Sequence, residues 1–217
     1  MPDFTLQPHH TVIVGMTGSG KTTFVNRLLL KDEVVACRFI YDDLNRMWPR
    51  LKIPVCHTPE QLAASVPTRW SAFCHTKMLF KFNGDPKRVF RWWLRWVWRV
   101  AHSGPGRKIV VLPEVWRWCN RDTVPMELAL LAQAGRELGV ELVCDTQKPE
   151  LLNGSLVGSA TELVCFRQID RDALKATETM LSSSGNTFDP AQLRSLPAGS
   201  FVGFNRLSGA SQAGRVF

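Results

Sequence analysis

Five short apolar runs recur along the chain: TVIVG (11–15), VVACRFIY (34–41), KIVVLP (108–113), VELVCDT (140–146) and ELVCFR (162–167). They are nearly continuous rather than alternating, the pattern of strands covered on both faces. Between them, Met126–Leu138 and Asp170–Leu181 carry apolar residues at helical spacing, which predicts helices. Strands alternating with helices predict an α/β fold, a mostly parallel central sheet flanked by helices. The stretch 42–107 is too long for one crossover and predicts a helical insertion, with Glu60–Ser65 and Phe90–Ala101 as its helices. After Ser182, SSSGNTFDPAQL reads as a loop and short turn, and LPAGSFVGFNRLSG as one or two closing antiparallel strands. Residues 183–217 are thus expected to form a C-terminal loop and hairpin region. At 217 residues the expectation is one domain spanning 1–217.

The first run leads into VIVGMTGSGKTTFVNRLLL (12–30), where GMTGSGKT fits the P-loop pattern G-x-x-x-x-G-K-[ST] in full. Its glycines let the backbone wrap around phosphates with amides pointing inward, at a helix N-terminus that favours anions. Gly15, Met16, Thr17, Gly18, Ser19, Gly20, Lys21, Thr22 and Thr23 are therefore the expected nucleotide-binding residues, with ATP and Mg2+ as ligands. Lys21 is expected to reach the β- and γ-phosphates, and Thr22 to place its hydroxyl on magnesium. KIVVLP then delivers Glu114 at the C-terminal end of an apolar strand. A carboxylate there can polarise a water in line with a γ-phosphorus. Pro113 precedes it; proline gives no N–H to a ladder but is tolerable where pairing ends.

Composition narrows the class. Apolar residues at 45% with 21% charged residues are globular rather than disordered. The net charge of +8 is uneven: from Lys87 to Lys108 there are seven Lys or Arg and no acid, which favours a polyanion or an anionic membrane surface. Six cysteines (Cys37, Cys56, Cys74, Cys119, Cys144, Cys165) lack CxxC spacing and read as reduced thiols rather than a zinc site. No signal peptide opens the chain, and no apolar stretch is long enough to span a bilayer.

RVFRWWLRWVWRVAHSGPGRK (88–108) stands apart. As a helix it places Phe90, Trp93, Leu94, Val97, Val100 and Ala101 on one stripe facing the sheet. Trp92, Trp96 and Arg99 fall on another side, with Arg88, Arg91 and Arg95 nearby. Arginine interleaved with indole stacks on bases and neutralises phosphates. The same pattern suits a membrane surface, a capsid protein or packing between subunits.

GMTGSGKT, the strand ending in Glu114, GRELGVELVCDTQKPELL (135–152) and ATELVCFRQIDRDAL (160–174) together resemble the additional-strand, catalytic-glutamate P-loop ATPases of RecA-like fold. More narrowly they resemble the FtsK/HerA superfamily of DNA-pumping motors. The small size is most similar to its viral branch, the genome-packaging ATPases of membrane-containing icosahedral viruses. The resemblance implies a sensor strand between the P-loop strand and the glutamate strand. It makes Glu114 the catalytic glutamate, and Gln147 the sensor that orients the lytic water. It makes Arg136 the arginine offered to a neighbour's nucleotide, with Arg167 and Arg171 as alternatives. The aspartate that usually acts on magnesium is replaced by Pro113, and Asp145 is the candidate substitute. Implied partners are double-stranded DNA, further copies in a pentameric or hexameric ring, and capsid or membrane vertex proteins, with a place at a virion's packaging vertex or in host cytoplasm. Three rivals remain: a cellular DNA pump of the same superfamily, a P-loop kinase, and a nucleotide-binding assembly protein with weak hydrolysis.

Overall fold

A computed structural model of the chain describes residues 9–30, 35–41, 55–65, 74–78, 85–104, 106–182 and 188–217. Its strands are β1 (Thr11–Val14), β2 (Val35–Tyr41), β3 (Val55–Cys56), β4 (Cys74–Met78), β5 (Arg107–Leu112), β6 (Val140–Thr146), β7 (Glu162–Phe166), β8 (Ser200–Asn205) and β9 (Ser211–Arg215). Its helices are α1 (Lys21–Leu30), α2 (Pro59–Ser65), α3 (Pro86–Ser103), α4 (Met126–Ala134), α5 (Gly154–Ser159) and α6 (Arg171–Ser182). The strand order is β3-β4-β2-β5-β6-β1-β7-β8-β9. This is the mostly parallel, helix-flanked sheet of a RecA-like P-loop fold, and β6 lies between β5 and β1, the order the resemblance implied.

The chain divides into two compact units. One gathers Met1–His9, Leu28–Pro113 and Pro125–Leu142; the other gathers His10–Arg27, Glu114–Val124 and Val143–Phe217. In the first, β2 pairs in parallel with β4 and β5, and β4 with β3. Helix α3 is nucleated by Asp85, whose carboxylate accepts from the Lys87 amide at 2.9 Å, with Pro86 in the first turn where its missing N–H costs nothing. Its buried residues are Phe90, Trp93, Leu94, Val97, Val100 and Ala101, the whole predicted stripe. Burying a side chain such as Leu94 or Val97 contributes about 1.5–3 kcal/mol. The Tyr41 ring meets Phe90 at 4.9 Å and Trp93 at 5.1 Å, so α3 covers β2.

A 3-10 turn, Gly135–Leu138, extends α4 to the predicted end of that helix. Gly139 then takes φ 75°, and a Cβ there would stand 2.5 Å from the Gly106 carbonyl. The close approach lets the Lys108 amide donate to the Gly139 carbonyl at 2.8 Å. Arg107 closes this corner through an ion pair with buried Glu141. In the second unit β1 runs parallel between β6 and β7, while β7, β8 and β9 pair antiparallel. All four residues of β1 are buried, as a β-branched central strand requires.

The 42–107 stretch is more than a helical insertion. It also contributes β3 and β4, which extend the sheet from β2. Neither strand has an apolar run to announce it: β3 is two residues long, and β4 reads CHTKM. Of the predicted run VVACRFIY, Val34 lies outside the described residues, as do the remaining parts of the insertion and residues 183–187 of the C-terminal loop. Cys56, Cys119, Cys144 and Cys165 are buried and form no disulfide with one another; the side chains of Cys37 and Cys74 lie outside the described set. Burial pushes the Cys119 thiol up to about 11, and those of Cys144 and Cys165 higher still, so they stay protonated at neutral pH. No described helix is long and apolar enough to cross a membrane.

Candidate active site

The loop after β1 is held from two sides. The Gly15 amide donates to the Thr146 carbonyl at 3.2 Å, and the Met16 amide to the Arg167 carbonyl at 2.9 Å. The Ser19 carbonyl accepts from the Gly199 amide at 2.9 Å. Gly18 and Gly20 take φ 74° and 114°, angles that non-glycine side chains rarely adopt. Lys21, 5% exposed, opens α1 and turns its ammonium onto the carbonyls of Gly15 (2.7 Å) and Met16 (3.1 Å). Thr22 and Thr23 follow, half-buried, in the first turn. Backbone amides at a helix N-terminus beside a cation form a cradle for phosphate.

Glu114 is built unusually. At φ 48° and ψ 50° it is the only non-glycine residue with positive φ among those described. Such a backbone costs on the order of 1–3 kcal/mol and persists only where surroundings enforce it. Here the Glu114 amide donates to Asp145 Oδ1 at 3.0 Å, inside the protein. The carboxylate, itself 3% exposed, is gripped as firmly. Gln147 Nε2 donates to Oε1 at 2.7 Å, while the Gln147 amide (3.1 Å) and Trp116 Nε1 (3.0 Å) donate to Oε2. The Thr17 hydroxyl donates to Gln147 Oε1 at 2.5 Å. A continuous run of hydrogen bonds therefore joins the P-loop to the glutamate, from Thr17 through Gln147 to Glu114. Lys148 Nζ lies 4.7 Å from the centre of the Trp116 ring. Pro113 sits one residue past the end of β5, where no ladder bond is asked of it.

Among the described residues no three His, Cys, Asp or Glu side chains gather in a metal site. Asp145, the sequence candidate for magnesium, is 2% exposed, and its Oδ1 accepts from the Glu114 amide. Thr22, in the first turn of α1, is the other residue that could hold a metal, with phosphates and water as its remaining ligands, an arrangement magnesium accepts.

The structure brings together Lys21, Thr17, Glu114, Asp145 and Gln147 in one unit. Arg136 belongs to the other, half-buried on the 3-10 turn, where its carbonyl accepts from the Gly139 amide at 2.9 Å. Arg167 is exposed just past the end of β7, and Arg171 is exposed at the start of α6.

The basic helix differs from its sequence reading in two respects. Trp96 does not turn away from the sheet: its ring meets Phe39 edge-on at 5.2 Å. It sits three residues after Trp93, about 60° round the helix from that residue at the stripe's edge, and an indole is wide enough to reach β2 from there. Arg91 and Arg95 are also engaged. Arg91 Nε stands 3.1 Å from Glu127 Oε2, and an Arg95 nitrogen 2.8 Å from Oε1. Burial raises the Glu127 carboxyl pKa, but hydrogen bonds and charge from the arginines outweigh this and hold it below the ordinary value. The Arg91 guanidinium is raised by its hydrogen bonds to Glu127. Arg88 and Arg99 are exposed, and Trp92 is half-buried.

Glu127, Trp116 and Lys148 went unnoticed in the sequence. No motif spacing marks Trp116, two residues beyond the glutamate, and Glu127 follows an ordinary helix start.

No protein-family model matches the chain, and no curated protein matches it. Solved structures share its fold over nearly its whole length. The genome-packaging NTPase B204 from Sulfolobus turreted icosahedral virus 2, in complex with AMPPCP, aligns with a TM-score of 0.74 at 14% identity, covering 96% of this chain and 97% of that one. B204 described as the DNA-packaging ATPase from Sulfolobus turreted icosahedral virus aligns with a TM-score of 0.69 at 15% identity, covering 96% and 98%. The monomer form of the pCW3 conjugation coupling protein TcpA with ATPgS aligns at 0.59 and 16% identity, covering 98% of this chain and 61% of that one. At these identities the likeness is one of fold.

Proposed function

We propose that the chain is an ATPase that drives double-stranded DNA, working as a homo-oligomeric ring that loads a viral genome into a preformed capsid. The observation that carries the reading is the hydrogen-bonded run from Thr17 through Gln147 to Glu114. It ties the residue expected to activate water to the loop expected to hold phosphate. The fold shared with viral packaging NTPases supports the choice of polymer and of virus.

In this reading the P-loop amides and Lys21 hold the triphosphate. Lys21 exchanges its loop carbonyls for phosphate oxygens, so its ammonium is hydrogen-bonded in either arrangement. Magnesium, held by Thr22 and the phosphates, would neutralise charge on the transferring group. Glu114 accepts the proton of the attacking water. Gln147, fixed at both ends of its amide, orients that water, and positioning supplies most of phosphoryl-transfer catalysis. Arg136 of one subunit would complete a neighbour's site, with Arg167 and Arg171 as alternatives. The ring is a pentamer or hexamer docked on capsid or membrane vertex proteins. The exposed face of α3, with Arg88 and Arg99, contacts the DNA backbone.

A second reading keeps the nucleotide but not the turnover. The Glu114 carboxylate accepts three hydrogen bonds, and Pro113 stands where a magnesium-directed aspartate is usual. This favours a protein that binds nucleotide to hold an assembly together. The deciding experiment measures ATP turnover by purified wild type and Lys21→Ala, with and without duplex DNA, beside native mass. Magnesium-dependent, DNA-stimulated turnover that Lys21→Ala abolishes supports the motor. Binding without turnover supports the assembly protein.

A further inference from the structure

We propose that Trp116 is a positioning residue for Glu114, holding its carboxylate in the attitude needed to activate water; the inference rests on the hydrolase reading above. Three observations converge on the indole. Its Nε1 donates to Glu114 Oε2 at 3.0 Å, the oxygen that also accepts from the Gln147 amide. It stands in the 3-10 turn Val115–Arg117, immediately after the left-handed glutamate, with the Arg117 amide donating to the Glu114 carbonyl at 3.0 Å. Its ring carries the Lys148 ammonium 4.7 Å from its centre, and Lys148 directly follows Gln147.

The chemistry of the side chain suits the task. An indole N–H donates and never accepts, so Trp116 can hold a carboxylate without competing for the proton of the water. Its ring is rigid, and a cation on the ring face fixes it further. Glu114 is thereby braced from both strand ends: the turn after β5 supplies Trp116, and the residues after β6 supply Gln147 and Lys148. Asp145 fixes the backbone of the same glutamate. The bracing suits a chain in which Pro113 replaces the usual aspartate, because Pro113 itself offers no side-chain hydrogen bond to this turn.

Trp116→Phe removes the N–H and keeps an aromatic ring for Lys148. With a hydrogen bond to a charged group removed, kcat is expected to fall roughly ten- to a hundredfold, while KM for ATP and nucleotide binding stay at wild-type values. In a Glu114→Gln background the same change is expected to have no further effect, because its target is already gone. A spectroscopic readout runs beside the kinetics: the indole N–H resonance that disappears in Trp116→Phe should shift in Glu114→Gln. Wild-type kcat in a folded Trp116→Phe variant overturns the proposal. So does an equal further loss in the Glu114→Gln background, which would mark a structural role, and so does an indole resonance indifferent to Glu114→Gln. A wild-type chain that shows the resonance shift without any turnover defeats the hydrolase reading, and the positioning role falls with it while the hydrogen bond stands.

Discussion

Gln147 Nε2 and Glu114 Oε1 stand 2.7 Å apart, on residues delivered by two different strands, and Thr17 of the P-loop holds the opposite end of the same Gln147 amide. Flipping that amide would present an oxygen to a carboxylate that only accepts, so Glu114 fixes its orientation, while the Thr17 hydroxyl can serve either end.

Gln147→Ala is therefore expected to lower kcat by on the order of a hundredfold, in the range seen when one preorganised donor is removed from a catalytic site. Thr17→Val should lower it less, because Gln147 keeps its two bonds to Glu114. Steady-state turnover of both variants, with ATP affinity measured separately, checks the order. A Thr17→Val loss larger than that of Gln147→Ala would contradict it.

Restoring aspartate at Pro113 should lower the magnesium concentration needed for half-maximal turnover, since an added carboxylate would act on the metal's water shell. An unchanged magnesium dependence would mean that the proline is neutral for the metal.

The ion pairs at α3 make a prediction about pH. The folded-state pKa of Glu127 lies below its ordinary value of 4.5, so its contribution to stability is present above about 4.5. The contribution is lost as pH falls through the folded-state value, where the carboxylate takes up its proton. The stability difference between wild type and Glu127→Gln should accordingly be constant near neutral pH and shrink in acid. Denaturant melts at neutral and acid pH measure it, and a difference that grows in acid would reverse the sign.

Arg88 and Arg99 should matter more for DNA than Arg91 and Arg95, whose charge is shared with Glu127. Arg88→Gln with Arg99→Gln should weaken binding to all duplex sequences alike. Every phosphate left without its arginine reduces the logarithmic salt slope by about 0.9. Binding isotherms across a salt series, on variants of wild-type native mass, test this. Wild-type affinity in the double variant would assign the face to protein or membrane.

Much of this molecule is legible in its apolar pattern. β1, β5, β6 and β7 are almost wholly buried, as are the described side chains of β2, so their apolar runs stand out. The α3 stripe is equally plain, because burial of six residues at helical spacing leaves little ambiguity. β3 and β4 are not legible, being too short or too polar to form a run; β4 pairs with β2, and β3 in turn with β4. At the site, Lys21, Glu114 and Gln147 follow from motif and resemblance. The left-handed turn at Glu114, the bond from its amide to Asp145 and the Trp116 hydrogen bond do not. They depend on which side chains the folded strands bring within hydrogen-bonding reach, and residues 31 apart in sequence carry no local sign of it.

Whether Glu114 performs the chemistry is tested most directly by single-turnover ATP hydrolysis of Glu114→Gln beside wild type, with ATP affinity measured on the same preparations. The variant is expected to bind ATP as wild type does and to turn over at least about a hundredfold more slowly, because the missing group acts in the transition state. Undiminished turnover, or a collapse of ATP binding with chemistry unchanged, would make Glu114 a structural residue and contradict the hydrolytic mechanism.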